Sequence, residues 1–152
     1  MVDLSIEMAL PAQLARRLRV ELARMVRAAA RRDGRDDYEV GVRLVDDDAI
    51  HALNRAFRHK DRPTDVLAFA QREAAGAAAI GDAVLGDIVI SLPTARRQAR
   101  RGLHAELLHL ASHGLCHLLG YDHRDDAEEQ VMNARARALR DEATRRGRIR
   151  PA

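Results

Sequence analysis

Three histidines, His113, His117 and His123, stand at positions i, i+4 and i+10, with Gly120 at i+7. This pattern constrains the local fold more than any other in the chain. Side chains four apart on a helix share a face, so His113 and His117 point the same way. Leu107, Leu110, Ala111, Leu115 and Leu118 supply the buried side of that helix. The helix must then stop, because His123 can join the other two only if the chain turns back. Gly120 is placed for that turn, since glycine adopts a left-handed backbone at little cost. Two imidazoles one helical turn apart, with a third delivered from beyond the helix end, can hold one metal ion. Neutral imidazole suits Zn²⁺, and three protein ligands leave a position open. One zinc ion per chain is the expectation; nickel, copper or iron also accept such ligands.

The spacing is that of the metzincin motif H-E-x-x-H-x-x-G-x-x-H, with one difference. Where a zincin peptidase carries glutamate as its general base, this chain has Gly114. A metallopeptidase built on these histidines would therefore lack its proton acceptor. A third reading, a structural metal in a non-catalytic assembly factor, calls for four protein ligands, and only three strong candidates are present. Asp122 can orient a ligating imidazole, or it can shape the turn. His104 and His109 have no matching geometry. Cys116 falls on another side of the helix and reads as a small core residue.

The rest of the 152-residue chain suits one domain spanning residues 1–152. Leu4 to Glu7 reads as a short strand, and a helix follows from Pro11, with Leu14, Leu18, Leu22, Met25 and Val26 at helical spacing. Tyr38 to Val45 alternates as a strand. Asp46, Asp47 and Asp48 open a helix through Phe57. Val66 to Phe69 and Gly86 to Ile90 read as strands around a loop from Gln71 to Asp82. Helices are expected over Ser91 to Arg101, Leu103 to Leu119, and Asp125 to about Arg146. The order predicts an α+β fold, a small mixed β-sheet of about four strands packed with about five helices.

Composition limits the functions available. Lysine and arginine total 26, of which only Lys60 is lysine, against 23 acidic residues. The guanidinium fork suits phosphate, but 28 alanines beside the arginines favour a general compositional bias. Arg96, Arg97, Arg100 and Arg101 would form a basic stripe on a helix, a candidate RNA contact, and Arg135 to Arg150 make the C-terminus cationic. With Tyr38, Phe57, Phe69 and Tyr121 the only aromatics, a base-stacking platform is not expected. One cysteine excludes an internal disulfide framework. No apolar run approaches the ~18 residues of a membrane span. Met1 to Leu10 lacks the basic residues of a signal peptide, so a cytoplasmic location without membrane contact is expected.

The segment His113-Gly114-x-x-His117-Leu118-Leu119-Gly120-Tyr121-Asp122-His123 resembles the signature of the YbeY family of bacterial metal-dependent endoribonucleases. Two further blocks are similar to that family. One is Leu44-Val45-Asp46-Asp47 with Leu53-Asn54, Phe57-Arg58, Asp61 and Pro63-Thr64-Asp65-Val66-Leu67. The other is Leu85-Gly86-Asp87-Ile88-Val89-Ile90-Ser91. The resemblance implies a zinc ion on the three histidines and cleavage of single-stranded RNA. It also implies a role in maturing small-subunit ribosomal RNA and in ribosome quality control. Partners would be ribosomal RNA, the ribosome or small-subunit proteins, and an assembly GTPase; DNA is not expected. Arg58 matches an arginine that would face the metal and bind the scissile phosphate. Departures are Ala68 and Ala70, where the family commonly has serine and proline, and Phe57, where it commonly has tyrosine.

Overall fold

The computed structural model describes residues 1–71 and 83–145. Most of the expected 71–82 loop, and Arg146, Arg148 and Arg150, lie outside the described residues. Within them the order is β1 (Val2–Ile6), α1 (Ala12–Arg32), β2 (Glu39–Val45), α2 (Asp47–Arg58), β3 (Val66–Ala70), β4 (Val84–Ser91), α3 (Leu92–Gln98), α4 (Leu103–Leu118) and α5 (Asp126–Ala143). The sheet order is β1-β2-β4-β3. β1, β2 and β4 run parallel, and β3 pairs with β4 antiparallel. This is an α+β fold on a mixed sheet.

Alternation along the strands divides the apolar residues between two faces. Val40, Val42, Leu44, Ile88 and Ile90 join Leu18, Leu22 and Met25 of α1, Leu107 and Leu115 of α4, and Met132 and Leu139 of α5 in the main core. On the opposite face Val45, Leu67 and Val89 pack around Ile50 of α2. The acidic helix starts act as caps: Asp46 Oδ1 accepts the Ala49 N–H at 2.8 Å, and Asp125 Oδ1 accepts the Glu128 N–H at 2.8 Å.

Several boundaries move by one to three residues from expectation, and one of them bears on the arginine stripe. The helix expected through Arg101 ends at Gln98, because Ala99 turns to an extended conformation with ψ 106°. Arg96 and Arg97 lie on α3, whereas Arg100 and Arg101 occupy the turn before α4, so the four do not share a helical face. Side-chain bonds hold the end of α3: Arg97 Nη2 donates to Asp47 Oδ2 at 2.9 Å, and Gln98 Nε2 donates to Glu106 Oε2 at 3.1 Å. Two of the four buried polar residues among the described ones, Glu21 and Asn54, interrupt otherwise apolar helix faces. Glu21, 2% exposed, accepts from Arg17 Nε at 2.9 Å and bonds His104 Nε2 at 2.7 Å. Asn54 Nδ2 donates to the Arg62 carbonyl at 2.9 Å.

Candidate metal centre and its cleft

Helix α4 ends as the sequence pattern requires. Gly120 has φ +103°, its N–H donates to the His117 carbonyl at 3.1 Å, and the Tyr121 N–H donates to the Cys116 carbonyl at 3.0 Å. These two bonds make a Schellman motif, which closes a helix through a left-handed residue. The chain then doubles back and returns His123 to His113 and His117. One nitrogen from each of the three rings lies within 4.8 Å of the others. His113 Nε2 and His117 Nε2 are 3.3 Å apart. Two nitrogens bonded at about 2.0–2.1 Å to one tetrahedral zinc ion stand about 3.3 Å apart, so the donor set fits a metal of that size.

The electrostatics favour the ligating form. Burial pushes the His113 imidazole down to about 4, helped by the neighbouring imidazoles of His117, His123 and His109, while Asp65 pulls the other way. Burial also lowers His117; His123 adds to the effect, Asp122 opposes it, and the Arg58 charge contributes. Neutral imidazole nitrogens are the metal ligands. Asp122 Oδ1 accepts the His123 N–H at 2.8 Å, so the carboxylate shapes the turn that presents the third imidazole.

Gly114 has a packing reason to be glycine. A Cβ there would lie 2.8 Å from Ile88 Cγ2 and 3.2 Å from Ile88 Cγ1. Helix α4 crosses β4 so closely at this point that any side chain would force Ile88 to move. The glutamate of a zincin is thus disfavoured by packing as well as absent from the sequence.

The histidines open into a cleft of about 560 Å³. Its other wall is β3 and the segment that enters it. Ser91 N–H donates to the Asp65 carbonyl at 2.9 Å, which makes Asp65 and Ser91 a hydrogen-bonded pair. By alternation Ala68, opposite Ile88, turns its backbone groups away from β4, toward the open side of the sheet. Arg58 Nη2 donates to the Ala68 carbonyl there at 2.6 Å, and its guanidinium lies 5.0 Å from the centre of the Phe69 ring. Arg58 thus lines the same cleft as the three histidines.

Lys60, Arg62, Asn54, Thr64, Asp65 and Tyr121 also line it. Sequence reasoning named no cleft role for Lys60, Arg62 or Asn54. The signal was a run of cations between a helix end and Pro63. His59 closes α2 in a left-handed conformation, φ 59° and ψ 32°, at the start of that run. By contrast, none of Arg96, Arg97, Arg100 and Arg101 lines the cleft. Arg96 Nη2 donates to the Ala9 carbonyl at 3.1 Å, and Arg97 is held by Asp47. His109 is exposed on α4, and Cys116 is buried, its thiol pushed up to about 11 by burial.

Comparison with known proteins follows the same lines. The profile of the family described as Endoribonuclease YbeY matches residues 9–144. An Endoribonuclease YbeY of Anaeromyxobacter dehalogenans is 46% identical over 146 residues, covering 90% of this chain and 72% of that one. That of Bacillus subtilis is 43% identical over 130 residues, covering 80% and 83%. Among solved structures, the solution structure of a Thermotoga maritima protein aligns with a TM-score of 0.60 at 28% identity, covering 94% of this chain and 89% of that one.

Proposed function

The chain belongs to the Endoribonuclease YbeY family, and from that premise we propose that it is a metal-dependent endoribonuclease. Its substrate would be single-stranded RNA, and its role the maturation of small-subunit ribosomal RNA and ribosome quality control. One observation carries this reading. Three imidazoles converge on a point in a cleft that also holds Arg58, Lys60 and Arg62. A cationic wall beside a metal-sized donor set suits a phosphodiester.

A zinc ion on His113, His117 and His123 would supply Lewis acidity toward a phosphoryl oxygen and lower the pKa of water. Burial favours the neutral, ligating form of His113 and His117. Arg58 binds the scissile phosphate: its planar fork matches phosphate oxygens, and the Ala68 carbonyl and Phe69 ring fix its orientation. Lys60 and Arg62 hold neighbouring phosphates, contacts that position a strand without reading its sequence. Gly114 leaves the peptidase chemistry without its general base. Among the described residues the metal group has three members, which suits an open coordination site better than a closed structural one.

The test incubates metal-loaded protein with single-stranded RNA beside His113→Ala and Arg58→Ala. Both variants are expected to lose cleavage, Arg58→Ala by about 100-fold, typical of removing one transition-state donor. Equal cleavage by all three proteins would trace the activity to a contaminant and sink the proposal.

A further inference from the structure

Of the four aromatic residues in the chain, Tyr38 is buried and Phe69 and Tyr121 are partly buried, while Phe57 is 60% exposed. Phe57 occupies the last turn of α2, immediately before Arg58. Its ring meets Phe69 edge-on, with centroids 5.5 Å apart and planes at 72°. The Arg58 guanidinium lies 5.0 Å from the centre of that same Phe69 ring. Phe69 therefore braces both neighbours, and the Phe57 ring and the phosphate-binding guanidinium are separated by no more than those two spans. A phosphate on Arg58 and its base on Phe57 need a separation within that limit.

We propose that Phe57 is a base-stacking residue, which holds a nucleobase of single-stranded RNA next to the phosphate bound by Arg58. The proposal rests on the ribonuclease reading above and adds a contact to its substrate. A ring braced on one side and open on the other presents a flat apolar face at low entropic cost. Stacking on such a face tolerates any base, as suits a strand positioned by Arg58, Lys60 and Arg62. The composition argued against an aromatic platform, but a single ring at the right place is sufficient for one base. The cations at the adjoining cleft favour a polyanion here over an apolar protein partner.

The chain has no tryptophan, so Phe57→Trp would be a unique fluorophore beside Arg58, just outside the residues that line the cleft. The probe is a short 2′-O-methyl oligoadenylate, which resists cleavage, beside an abasic strand of equal length. Stacking predicts that the oligoadenylate quenches the Phe57→Trp emission and the abasic strand does not. Phe57→Leu, which keeps the apolar bulk but not the ring, should bind oligoadenylate about 5- to 150-fold more weakly, and Phe57→Tyr should bind as wild type. On the abasic strand, wild type and Phe57→Leu should be equal. Unquenched emission with undiminished Phe57→Leu binding would overturn the stacking role and leave Phe57 as a protein-docking residue. If wild-type protein cleaves RNA but binds neither strand, the stacking role fails alone; if it also cleaves no RNA, the ribonuclease reading fails with it.

Discussion

Substituting Gly114 by alanine sets two opposing effects against each other. Alanine is the better helix former by about 1 kcal/mol in a helix interior. Against this, the new methyl would stand 2.8 Å from Ile88 Cγ2, well inside contact distance. Ile88 is 2% exposed, and its strand is paired on both sides, with β2 and β3. A β-branched side chain has little rotamer freedom with which to move away. Overpacking of this kind costs about 1–3 kcal/mol. The net expectation is a loss of about 1 kcal/mol, or about 2–4 °C in Tm for a chain of this size. Urea denaturation of chelated protein measures it, and a double-mutant cycle with Ile88→Ala isolates the contact. Ile88→Ala alone should cost about 2–5 kcal/mol. The double variant should cost less than the two singles together by about 1 kcal/mol or more, because the added methyl enters the vacated space. A Gly114→Ala protein more stable than wild type by the helix-propensity gain, with no coupling to Ile88, would refute the close approach. It would also remove the packing reason that disfavours a glutamate there.

Metal analysis of His113→Ala or His117→Ala should show loss of the bound ion, from about one per chain to a small fraction, since two imidazoles seldom retain zinc against solvent. Arg58→Lys keeps the charge but loses the planar fork on Ala68 and Phe69, so steady-state kinetics should show cleavage well below wild type and nearer to Arg58→Ala. Asp47 is held below the usual carboxylate range, chiefly by the Ser91 hydroxyl at 2.6 Å and also by Thr94 and Arg97. As pH falls below 3.8 the unfolded chain takes up this proton first, so the contribution, full above that pH, is lost as pH falls through the folded value. Acid titration of thermal stability in Asp47→Asn should show a shallower decline than wild type. Glu21→Ala leaves Arg17 and His104 without their shared carboxylate, and chemical denaturation should register a loss of about 2 kcal/mol or more.

Much of the architecture was legible because its signals are local. Alternation from Tyr38 to Leu44, the capping aspartates Asp46 and Asp125, and the turn at Gly120 each need only neighbours in sequence. The metal group was legible for the same reason, since all three histidines come from one helix and the turn that ends it. What stayed hidden depends on tertiary closure. Lys60 and Arg62 become cleft residues only when α2 and β3 pack together. Glu21 looks like a surface acid until α4 brings His104 onto it. The end of α3 has no glycine or proline to mark it before Gly102, so the sequence pattern runs on through Arg100 and Arg101 although the helix ends at Gln98. Gly114 announced a missing base, but its partner Ile88 lies on a strand distant in sequence.

β3 is an edge strand of the sheet among the described residues, and its far side faces the cleft. An open strand edge is a template for another strand, whether from a second copy or a stray peptide. The Arg58 guanidinium on the Ala68 carbonyl occupies a rung that an incoming strand would need, and it sets a charge beside it. Arg58, proposed above to bind phosphate, would on this geometry also obstruct strand addition at that edge. Removing it should uncouple two properties that activity assays alone would merge: Arg58→Ala should sediment as higher species at concentrations where wild type does not, while Arg58→Lys, which retains a cation at the edge, should stay dispersed.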